Sequence, residues 1–62
     1  MPVVQVEMWE GKTEDQKGKL MKGIVKAFEE IGVKPSRVIV IIHETPKCNW
    51  GIKGEQASKT NL

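Results

Sequence analysis

Val38-Ile39-Val40-Ile41-Ile42 is the longest unbroken apolar run in this chain of 62 residues. Every residue in it is β-branched. Such side chains crowd a helix but pack well on a pleated surface, so the run predicts a strand. Successive strand side chains point to opposite faces, so an apolar residue at every position predicts a strand covered on both faces. The run is far too short to cross a bilayer.

Upstream of that strand, Pro35 and Gly32 mark the end of a preceding helix. Leu20, Ile24, Ala27, Phe28 and Ile31 recur at helical spacing, with Met21 and Val25 widening the stripe. Lys17, Lys19, Lys22, Lys26, Glu29 and Glu30 fill most of the remaining surface and read as a solvated face. Thr13-Glu14-Asp15-Gln16 predicts a capped start, with Thr13 and Gln16 exchanging bonds between side chain and backbone. Earlier still, Val3 to Trp9 (VVQVEMW) alternates Val4, Val6 and Met8 on one face with Gln5, Glu7 and Trp9 on the other. Glu10-Gly11-Lys12 breaks that strand. Downstream, the tail from Glu44 to Leu62 carries Pro46, Gly51 and Gly54 and predicts turns with a short hairpin around Trp50 to Gly54. Strand, helix, strand in this order predicts a right-handed β-α-β unit with two parallel strands, an α+β chain with α/β-like connectivity.

Composition limits what such a unit can be. Hydrophobic residues make up 39% and charged residues 29%, ordinary for a globular chain, so residues 1–62 are expected to form one domain. A chain this short buries only about 60% of its unfolded surface. One helix covers one face of two strands, and two strands do not stand alone. With one cysteine, Cys48, there is no disulfide framework to help, so an obligate homo-oligomer is expected. No secretory signal is expected at the amino terminus, and a reduced, cytoplasmic setting fits the lone cysteine. The net charge of +2 comes from lysines scattered along the chain and gives no basic patch for nucleic acid. No membrane partner, metal or cofactor is expected. His43 lacks a second histidine and reads as a polar residue at a strand end, and Cys48 reads as a spectator thiol. Gly51 and Gly54 read as turn residues.

The second residue is Pro2. Initiator methionine is normally removed before a small residue, which would leave Pro2 with a free secondary amine. Amino-terminal amines titrate at about 7.7–8.0 in model peptides, and modest burial or a nearby cation brings them to neutrality. A neutral amine in a dry site is a competent general base. Met-Pro is also an ordinary start that leads into a strand.

Taken together, Met1-Pro2 before a strand, Glu10-Gly11-Lys12 before a capped helix, the Val38 to Ile42 run, and Pro46-Lys47-x-x-Trp50-Gly51-Ile52-x-Gly54-Glu55 resemble the 4-oxalocrotonate tautomerase family over nearly the whole chain. The resemblance implies two β-α-β units pairing into a four-stranded sheet, with three such dimers forming a hexamer. It implies an isomerase acting on small enol or keto acids, with Pro2 as the base that shuttles a proton between carbon and oxygen. It places Lys12 where the family carries one arginine and Ile39 where it carries another. Lysine keeps the charge and loses the bidentate fork. Arg37, two residues before Ile39, is expected on the same strand face as a partial substitute. Trp50 matches the family's apolar wall near the proline, and Trp9 is expected to line the neighbouring side. By composition alone Lys12 reads as a turn lysine, and Trp50 and Trp9 equally as interface packing. These departures point to simple 2-hydroxydienoate or enolpyruvate acids. The other reading of the same departures is a non-catalytic oligomeric scaffold or small-ligand binder on this fold.

Overall fold

The computed structural model describes residues 1–60, so the last two residues of the expected 44–62 tail lie outside the described residues. Strand β1 spans Val3–Trp9 and helix α1 spans Glu14–Glu30. Strand β2 spans Ile39–Thr45 and runs parallel to β1, with Val3 opposite Ile39 and Trp9 opposite Thr45. A short antiparallel hairpin follows, β3 (Gly51–Ile52) and β4 (Glu55–Gln56). Single 3-10 turns at Pro35–Arg37, Lys47–Asn49 and Ala57–Lys59 link these elements.

The β-α-β order, the parallel pairing and the hairpin agree with the sequence reading. Alternation sets β1: Val4, Val6 and Met8 are half-buried beneath α1, while Val3, Gln5 and Glu7 are exposed. Both halves of the expected capping box are present. The Gln16 amide donates to Thr13 Oγ1 at 3.1 Å, and the Thr13 amide donates to Gln16 Oε1 at 3.0 Å. Glu14 and Asp15 in the first turn complement the helix dipole. At the other end Ile31 caps the helix and Gly32 follows at φ +89°. The Gly32 amide bonds to Glu29 and the Val33 amide to Phe28, both at 3.0 Å, which satisfies carbonyls of the last turn. The hairpin turns through Lys53 (φ 54°) and Gly54 (φ 81°), the two positive φ values that match the twist of its strands.

Three expectations need correction. β2 begins one residue later than the Val38–Ile42 run and continues through His43, Glu44 and Thr45. These polar residues stay in the strand because each finds a partner. His43 Nδ1 lies 2.6 Å from Glu7 Oε2 on the outer face. Glu44 Oε1 accepts from Lys17 Nζ at 2.7 Å on the helix side. Lys17 is therefore not a solvated lysine, and His43 is not at a strand end. The second correction concerns burial. Val40 and Ile42 are half-buried under α1, but Ile39 and Ile41 are 40% and 39% exposed, so one face of β2 is uncovered in the chain alone. The third concerns α1, whose sheet-facing residues include Ile24, Val25 and Phe28, while Leu20, Ala27 and Ile31 are exposed. Two strands are too narrow to shelter the whole apolar stripe.

Among the described residues only Ala57 is fully buried. The radius of gyration is 14.6 Å, against about 11 Å for a globular chain of this length. The accessible surface is 4974 Å², against about 4,000 Å² for a folded monomer of this mass. The chain is thus more open than a globular monomer of its mass.

Candidate functional site

The parallel pairing determines where the candidate residues fall. The Ile39 amide donates to the Pro2 carbonyl at 3.0 Å, extending the sheet ladder one residue past β1. Pro2 is thereby held, half-buried, at the start of β2, next to Val3 and Ile39, which are 54% and 40% exposed. Met1 beyond it is 80% exposed. Both neighbours are apolar residues. Arg37 is not where the sequence reading put it. It lies in the 3-10 turn Pro35–Arg37, before β2 starts, and shares no strand face with Ile39. Pro35 fixes the backbone dihedral that opens this turn, a signal that argued against strand at position 37.

The other candidates gather at the opposite end of the sheet. Trp9 closes β1, and the Glu10 amide bonds to the Thr45 carbonyl at 3.1 Å, which keeps the loop beside β2. Gly11, at φ +121°, turns the chain so that Lys12 comes back towards Met8. Trp50 stands edge-on to Trp9, ring centroids 5.4 Å apart and planes 67° from parallel. Its Nε1 donates to Thr45 Oγ1 at 2.5 Å, so the Trp50 ring is pinned. The Ala57 amide bonds to the Trp50 carbonyl at 2.8 Å, tying the hairpin to the same corner. Trp9 is held differently: its Nε1 is buried and has no hydrogen-bond partner among the described residues.

Two open pockets flank Lys12. One, of about 250 Å³, is lined by Met8, Lys12, Gln16, Lys17 and Leu20. The second, of about 400 Å³, is lined by Met8, Trp9, Glu10, Gly11, Lys12 and Lys47. Lys47 Nζ sits 4.8 Å from the centroid of the Trp9 ring, within range of a cation–π contact. The sequence reading did not single out Lys47 as a site residue, because no local periodicity links a lysine after Pro46 to a tryptophan at the end of β1. Neither pocket is lined by Pro2.

The chain therefore brings Pro2 together with Ile39 at one end and Lys12, Trp9 and Trp50 at the other. The seven residues of β1 separate these groups by about 20 Å. Among the described residues no cluster of three or more His, Cys, Asp or Glu side chains is arranged to hold a metal. Among the described residues no helix is long and apolar enough to cross a membrane.

Comparison with known proteins shows the family of this chain. A family model described as tautomerase enzyme matches residues 2–60. The 2-hydroxymuconate tautomerase of Pseudomonas putida is 42% identical over 62 residues, covering 98% of each chain. Among solved structures, a 4-oxalocrotonate tautomerase isozyme from Methylibium petroleiphilum is 40% identical with a TM-score of 0.85, covering 92% of this chain and 94% of that one. A heterohexamer 4-oxalocrotonate tautomerase from Chloroflexus aurantiacus is 26% identical with a TM-score of 0.88, covering 98% of this chain and 100% of that one.

Proposed function

The chain belongs to the tautomerase family and is a keto-enol isomerase, and we propose that Pro2, freed by removal of Met1, is its general base in a site completed by a second protomer. The observation that carries this reading is the bond from the Ile39 amide to the Pro2 carbonyl. It anchors Pro2 to the sheet ladder, next to the apolar residues Val3 and Ile39. A second protomer laid over these exposed side chains would exclude water from the amine and disfavour its charged form. Met1 is open to a processing peptidase at 80% exposure. While Met1 remains, the Pro2 nitrogen is an amide without a basic lone pair.

In the proposed reaction Pro2 takes the proton from the enol oxygen of a 2-hydroxydienoate or enolpyruvate acid and returns it to carbon, leaving the 2-keto acid. The amine is regenerated, and no cofactor is consumed. Lys12 is the cation that holds substrate carboxylate, and Trp9 and Trp50 form the apolar wall that keeps water from the enolate. Small enol acids are the substrate class in view because relatives are named for 2-hydroxymuconate and 4-oxalocrotonate.

We place Pro2 and Lys12 of one site on different protomers, because β1 holds them apart within one chain. The exposed Val3, Ile39 and Ile41, and the lone buried side chain among the described residues, call for a covering partner. A second copy is the natural one, giving a four-stranded sheet in a dimer and a hexamer of three dimers. The exposed free thiol of Cys48 suits a reducing compartment such as the cytoplasm.

The deciding experiment compares wild type and Pro2→Ala, both with Met1 removal confirmed by intact mass, in a stopped-flow ketonisation assay on 2-hydroxymuconate and phenylenolpyruvate. Loss of a positioned general base lowers the rate by about 10²–10⁴-fold. Equal rates would remove Pro2 from the mechanism.

A further inference from the structure

We propose that Lys12 and Lys47 grip the same substrate carboxylate, two ammonium groups doing jointly what one guanidinium fork does alone; this rests on the isomerase reading above. Both lysines line one pocket of about 400 Å³ whose wall includes Trp9. The Lys47 ammonium lies 4.8 Å from the Trp9 ring centroid. A cation resting on an aromatic ring is held in place at little further entropy cost. An ammonium group has three donors and no acceptor, so the contact with the ring face leaves N–H groups free for an anion.

The ion pairing in the rest of the chain sharpens the point. Lys17, on the neighbouring helix turn, is committed to Glu44 at 2.7 Å. Lys12 and Lys47 have no carboxylate within ion-pairing distance among the described residues, although Glu10 lines the same pocket. The pocket lining thus carries two free cations against one carboxylate. Two like charges converging on one opening repel each other, and a bound carboxylate relieves that repulsion. Arginine presents paired donors to both carboxylate oxygens, whereas a lone lysine is a point charge. Lys47 supplies the second point, so that each oxygen of one carboxylate meets its own ammonium. The substitution of lysine for a forked side chain at position 12 is thereby compensated from the loop after Pro46.

The test uses the assembled protein with Met1 removed and adipate, a saturated dicarboxylate that has nothing to tautomerise. Intrinsic fluorescence reports binding, since Trp9 borders the pocket. Lys47→Gln is expected to weaken adipate binding at least tenfold. Adding Lys12→Arg to that variant, which restores a fork, is expected to bring affinity back to within threefold of wild type. Melting temperatures within a degree or two of wild type show that the variants are folded. Any of three results overturns the proposal: wild type that gives no adipate response, Lys47→Gln that binds like wild type, or Lys12→Arg that fails to rescue. Because adipate undergoes no reaction, an intact binding pattern alongside Pro2→Ala at wild-type rate would count against the base and not against the lysine pair.

Discussion

Mixing two inactive variants should regenerate activity. Pro2 lies at the start of β1 and Lys12 just past its end, with the seven-residue strand between them, about 20 Å at 3.3 Å per residue. On the proposed reading, one small acid held by both takes Pro2 from one protomer and Lys12 from another. Consider Pro2→Ala and Lys12→Ala, each far less active than wild type, unfolded together at equal concentration and refolded. Each reassembled site draws its proline donor and its lysine donor independently, and each is intact half the time. About a quarter of the sites are then native at both positions, so the mixture should recover about a quarter of wild-type activity. The assay is ketonisation of 2-hydroxymuconate, with each variant refolded separately as the control. If both residues came from one chain, no mixed site would hold both, and activity would stay at the mean of the two parents. That result would refute the two-protomer site.

Three further outcomes follow from local geometry. Thr13→Ala removes half of the capping box seen in the 3.1 Å bond from the Gln16 amide and should cost about 1 kcal/mol in denaturant unfolding at fixed protein concentration. Trp50→Phe keeps the aromatic edge against Trp9 but loses the donor to Thr45 Oγ1; about 1 kcal/mol of stability should go, read in the same experiment. Ile39→Arg puts a guanidinium beside Pro2 at a position already 40% exposed. It should lower KM for dicarboxylate substrates by about tenfold through charge-assisted hydrogen bonds, and steady-state kinetics on 2-hydroxymuconate check it.

Much of the architecture was legible because it is local. The period of two in Val3 to Trp9, ended by Glu10-Gly11, marks β1 to the residue. Thr13 and Gln16 announce the helix start for a reason contained in four residues. The end of β2 was not legible, because His43, Glu44 and Thr45 look like loop composition until their partners are seen. Glu7 and Lys17, distant in sequence, keep two of them in the strand. Arg37 was misplaced for the converse reason: the apolar run beside it suggested more strand than Pro35 allows. Pro2 was legible as a motif, and the length of β1 already implied that Lys12 lay far from it. Lys47 was invisible as a site residue, since its approach to Trp9 depends on how the loop after Pro46 folds across the end of β1.

The bond between the Ile39 amide and the Pro2 carbonyl has a practical consequence. It makes one backbone proton on the second strand a gauge of where Pro2 sits. If the chain's beginning frays from its neighbour, that amide exchanges with solvent sooner, even while the helix and the remaining ladder stay closed. Deuterium uptake at this single position would reveal loosening of the amine-bearing end before any spectroscopic loss of fold.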